Sequence, residues 1–114
     1  MDWYKIGQSG DMDLILEHIQ GLSVDDLKKL FYGGANGGHI RVCAAAQEWS
    51  DIDADELLAS AMEENNIEQC KLAVKLGATG MHWCVGYVYG KDKYRTKEVK
   101  NFMKEWRQSK HKYD

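Results

Sequence analysis

Between Leu58 and Trp83 the apolar residues fall in a pattern that predicts two short helices around a polar turn. Ala61 and Met62 give the first helix a lean apolar face, and Asn65 and Asn66 form the turn. Ile67, Cys70, Leu72, Ala73 and Val74 supply the apolar face of the second helix. Asn66, with Gln69 three residues on, is a cap signal for that helix. Gly77 is placed to end it in the left-handed conformation that L-residues avoid. A hairpin of this kind has no third surface against which to bury its two faces, so it predicts companions.

Imperfect copies lie upstream. With Asn65 as anchor, steps of 27 and then 28 residues back reach Gly38 and Gly10. Seven before each anchor stand Leu58, Phe31 and Trp3, all large. Four before stand Ala61, Gly34 and Ile6; three before stand Met62, Ala35 and Gly7. Two after stand Ile67, Ile40 and Met12, and five after stand Cys70, Cys43 and Ile15. The pattern is one large residue, a mostly small pair, a turn and an apolar helix. Stacking gives a physical reason: neighbouring first helices approach closely only across Gly or Ala, with the large residue filling the space behind. The turn calls for Gly or Asn because its backbone needs positive φ.

Helix starts are marked by Asp11, Ser23 and Asp53, the last with Glu56 three residues on. The units run at about 2–22, 23–50, 53–78 and 80–108, leaving 109–114 as a tail. In the fourth, Trp83–Gly90 is the expected first helix, Lys91–Arg95 a charged turn, and Thr96–Gln108 the second helix. Val99, Phe102, Met103 and Trp106 are helically spaced and expected to face the core.

GANGGHIRV, with Gly38-His39, and KLGATG, with Gly77-Ala78, resemble the middle and end of the ankyrin repeat. LGATGMHW looks like the degenerate ankyrin arrays of large DNA viruses. No copy has Thr-Pro-Leu-His, and the step of 27–28 residues is shorter than the roughly 33 of an ankyrin unit. The residues missing are those of the β-turn finger, which the comparison implies is truncated. The resemblance implies an all-α solenoid of about four short helix–turn–helix repeats. It also implies that His39 holds its turn by hydrogen bonds and that the function is protein binding, with a host protein as a fitting partner.

The chain of 114 residues, 44% hydrophobic and 29% charged, has the makeup of one globular domain. Neither a secretory signal nor a membrane-length apolar run is present in the sequence. Cys43, Cys70 and Cys84 are odd in number and lack metal-type spacing, so they are expected to be reduced core thiols of an intracellular, cytoplasmic protein, or one in a host cell's cytoplasm. Charge is divided: residues 1–90 carry 6 Lys and Arg against 14 Asp and Glu, and residues 91–114 carry 9 against 4. That asymmetry bears on partners rather than fold.

Candidate chemistry is thin. GGANGG, Gly33–Gly38, has the glycines of a phosphate cradle but neither the preceding strand nor the Lys and Ser/Thr that mechanism needs. Cys43, Cys70, His82 and Cys84 form no paired zinc motif. No sequence feature orients His18, His39 or His111 against a thiol. The run Glu48–Glu56 lacks the glycine and full ligand set of a calcium loop. The expectation is therefore a non-enzyme without cofactor or metal.

Its binding surface is expected at an acidic edge, Asp51, Asp53 and Asp55, with aromatics Tyr4, Tyr32, Trp49, Trp83 and Tyr87 and the imidazole of His82. The partner expected is a protein with a basic surface, and the protein itself a monomer or weakly self-associating. The basic tail with Phe102 and Trp106 offers the less favoured alternative, nucleic-acid contact, and opposite end charges offer head-to-tail association.

Overall fold

A computed structural model describes residues 1–79 and 96–112, with side chains through residue 106. Every regular element among them is helical. The chain divides into two compact units, Met1–Ala54 and Asp55–Asp114.

The first unit holds α1 (Trp3–Ser9), α2 (Met12–His18), a single 3₁₀ turn (Ile19–Gly21), α3 (Val24–Asn36) and α4 (Ile40–Trp49). Side-chain oxygens start three of these helices: Asp2 accepts from Lys5 N, Asp11 from Leu14 N and Ser23 from Asp26 N, each at 3.2 Å. They satisfy amides that the first helical turn leaves without partners. The large residues are inside, Phe31 completely and Trp3 nearly so. The edge of the Trp3 ring meets His18, with centroids 5.9 Å apart.

Helices α1 and α3 pack together, and α3 packs on α4. The first approach is close enough that a methyl group at Gly7 would lie 2.5 Å from the Leu30 carbonyl oxygen. At Gly33 it would overlap the Tyr4 carbonyl. Backbone thus meets backbone, as the small-residue rule requires. The glycine of the small pair has a different neighbour from the one expected. Gly34 faces Val42 and Cys43 of α4, its own hairpin partner, and the close approach to α1 is made one residue earlier, at Gly33.

The second unit contains α5 (Ala54–Glu63), which begins on the last residue of the first unit, then α6 (Ile67–Lys75) and α7 (Lys97–Lys112). Leu57, Leu58, Met62, Cys70, Val99 and Met103 are buried, and α6 packs on α7. Phe102 and Trp106 are only half-buried, and α7 runs past the expected end at Gln108.

All three anchors have positive φ: Gly10 at 75°, Gly38 at 76° and Asn65 at 55°. The turns at Gly38 and Asn65 are built alike, and the turn at Gly10 shares only the bond from the anchor, Gly10 N on Gly7 O. His39 N donates to Gly34 O and Gly38 N to Ala35 O; Asn66 N donates to Ala61 O and Asn65 N to Met62 O. The end of α6 repeats this with Ala78 N on Ala73 O and Gly77 N on Val74 O. These paired bonds are the Schellman ending, which uses carbonyls the helix leaves unpaired. Five residues after the anchors, Ile15, Cys43 and Cys70 are completely buried. Two after, the expected burial fails: Ile40 is 38% exposed, and Met12 and Ile67 are half-buried. That position is the first residue of each second helix, set out on the rim of the turn.

Candidate protein-binding surface

The acidic run begins where α4 stops. Ser50 adopts an extended backbone, φ −155° and ψ 152°, and its N–H closes the helix on Ala46 O. Gln47 Nε2 donates to Ile52 O at 3.3 Å, and Ile52 is buried. With the chain pinned at Ile52, its neighbours Asp51 and Asp53 are exposed, as is Glu48 on the last turn of α4. Trp49 lies among them with 49% of its surface open. In the first unit three exposed carboxylates thus stand within four residues of an accessible indole in the chain. Such a group attracts cations by charge and accepts a Lys or Arg head over the ring face.

Asp55 corrects the expected edge. It is 2% exposed, and its carboxylate accepts from Thr79 N at 2.7 Å and from Thr79 Oγ1 at 3.1 Å. The alternation Asp51, Asp53, Asp55 has period two, but the helix begins at Ala54 and changes the period. Asp55 then shares a face with Leu58, Ala59 and Met62, at spacings of three, four and seven, and is buried with them. The helical spacing of these four residues is the signal that could have found it.

Among the aromatics, Tyr4 is 38% exposed and Tyr32 half-buried, its ring edge-on to Phe31 at 5.3 Å. His82, Trp83 and Tyr87 lie outside the described residues, as do Cys84, the expected helix Trp83–Gly90 and the Lys91–Arg95 turn.

His39 reaches beyond its own turn. Its Nε2 lies 3.0 Å from Gln8 O, and its ring covers the position where Gly10 lacks a side chain. The imidazole therefore joins the end of α1 to the start of α4. Asn65 makes a comparable link through Oδ1, which accepts from Thr96 N at 2.8 Å, the residue before α7. Neither long-range bond has a sequence signature beyond the Gly-His and Asn-Asn dipeptides that place the side chains.

The thiols are packing groups. Cys43 Sγ donates to Phe31 O at 3.3 Å, and burial pushes its pKa up to about 12 from 9.0. Burial likewise raises Cys70 to about 11. Thiols so far from ionising are poor nucleophiles and poor ligands. Among the described residues no cluster of three or more His, Cys, Asp or Glu could hold a metal ion. In the glycine run, Gly33 and Gly34 are buried within α3, where packing rather than an anion occupies them.

No helix among the described residues is long and apolar enough to cross a membrane. Comparisons with protein-family models, curated proteins and solved structures return no match.

Proposed function

We propose that this protein is a non-catalytic protein-binding module: a short ankyrin-like array with truncated fingers that grips a basic partner. The observation that carries this reading is the half-open Trp49 set among exposed Glu48, Asp51 and Asp53. Aromatic residues at the centre of a contact supply much of its energy, while carboxylates around them speed encounter and select charge. The positive φ shared by Gly10, Gly38 and Asn65, and the like-built turns at the last two, support the repeat reading, because stacked repeats display successive turns along one edge. Tyr4 and Tyr32 are the other described aromatics that the reading assigns to binding, the first exposed and the second half-buried. The viral look of LGATGMHW favours a host protein as partner and inhibition as the consequence.

Partner capture followed by affinity measurement tests the reading. Trp49→Ala, and separately Asp51→Asn with Asp53→Asn, are expected to weaken the captured partner at least about tenfold. If both variants bound the same partner with wild-type affinity, the surface would lie elsewhere.

A further inference from the structure

The terminal helix has a second side. Val99 and Met103 are buried and Phe102 and Trp106 half-buried, whereas Lys97, Lys100 and Lys104 are all exposed. Intervals of three and four confine the lysines to about 60° of arc and about 10 Å of helix, roughly 140° around from the apolar face. The same spacing continues in the sequence through Arg107 and His111. No carboxylate stands three or four residues from any of the three lysines, the distances at which a helix pairs its own charges. Lys97–Lys100 and Lys100–Lys104 are instead like-charged neighbours, so an anionic surface laid along them would relieve repulsion.

We propose that this lysine face docks on a second copy of the chain, at its Trp49, Glu48, Asp51 and Asp53. The proposal rests on the reading of that acidic surface as a protein-binding site and names its partner. Charge complementarity carries it. Residues 1–90 carry a net −8 and residues 91–114 a net +5, so each copy holds both halves of the contact. Three exposed carboxylates meet three exposed ammonium groups, and the open indole suits lysine stems and heads. A nucleic acid fits less well. Phe102 and Trp106 lie on the other side of α7 from the three lysines, and the acidic remainder repels a polyanion. The contact joins unlike surfaces, so each added copy leaves one of each kind open and assembly continues past the dimer.

Sedimentation velocity of the full chain, from about 10 µM to about 1 mM, tests this. At about 0.02 M salt the mean mass is expected to climb beyond two copies, and at about 0.5 M the association weakens at least about tenfold. Lys97→Gln/Lys100→Gln/Lys104→Gln stays monomeric, and so does Asp51→Asn/Asp53→Asn, each with wild-type helicity by circular dichroism. Mixed equally, the two variants form a one-to-one pair and nothing larger, because each retains one working surface. A wild-type chain that stays monomeric throughout, or association that survives either variant or high salt, overturns the proposal. Should short duplex DNA bind the lysine face of a monomeric chain, the occupant is a nucleic acid and the proposal also falls. A monomeric chain that still needs Asp51 and Asp53 to hold another protein sinks self-docking but leaves the proposed function standing. If those residues serve neither, both fail.

Discussion

Single atoms decide several features of this protein. A methyl group added at Gly33 would strike the Tyr4 carbonyl oxygen, a backbone atom that cannot rotate away. Gly33→Ala is therefore expected to cost at least about 1–3 kcal/mol as α1 and α3 are forced apart. Gly21→Ala, where a new methyl meets nothing within 4 Å, should be neutral or stabilising by up to about 1 kcal/mol. Urea denaturation of both variants checks the contrast. The thiols make a pH prediction. Cys43 and Cys70 have folded-state values raised to about 12 and about 11, so the folded chain holds protons that the unfolded chain releases near 9.0. The stability they contribute is complete below 9.0 and is lost as pH rises towards 11–12. Wild-type stability should fall more steeply above pH 9.0 than that of Cys70→Ala, measured by denaturation at a series of pH values. Equal slopes would contradict the burial of that thiol.

At the scale of the element, each hairpin is organised by its turn. In the second and third hairpins the residues three and four before the anchor are those whose carbonyls accept the amides of the anchor and the next residue. Spacing in the sequence is thus hydrogen-bond spacing in the fold. Asn65 combines two roles, accepting φ 55° and holding Thr96 N. Asn65→Gly relieves the backbone but loses the side-chain bond, and is expected within about 1 kcal/mol of wild type. Asn65→Ala loses the bond and keeps the strain, at about 1–2 kcal/mol. The order of the two melting temperatures decides the matter. Asp55 anchors α5 to Thr79, four residues beyond the end of α6. Asp55→Ala leaves Thr79 without that acceptor and should cost about 1.5–3 kcal/mol, read by the shift in urea midpoint. No comparable loss is expected for Asp51→Ala, whose side chain is in solvent.

For the molecule as a whole, α7 shows how one helix serves both packing and charge. Met103 lies in the core of the second unit, so Met103→Ala is expected to cost about 2–5 kcal/mol by chemical denaturation. Lys100→Gln, on the exposed side, should stay within about 0.5 kcal/mol. Packing and surface charge are therefore separable on the same helix. The spacing of this chain was enough to place the helices of its first three hairpins, their caps at Asp11, Ser23 and Asn66, the left-handed anchors and the buried row Ile15, Cys43 and Cys70. These depend on bonds between residues a few positions apart, where backbone geometry leaves little choice. Only the tertiary structure decided that Asp55 is buried while Asp51 and Asp53 are not, that Gly33 rather than Gly34 lets α1 approach, and that His39 reaches Gln8. Those contacts join residues 24 to 31 positions apart, and local pattern carries no information about what packing brings opposite.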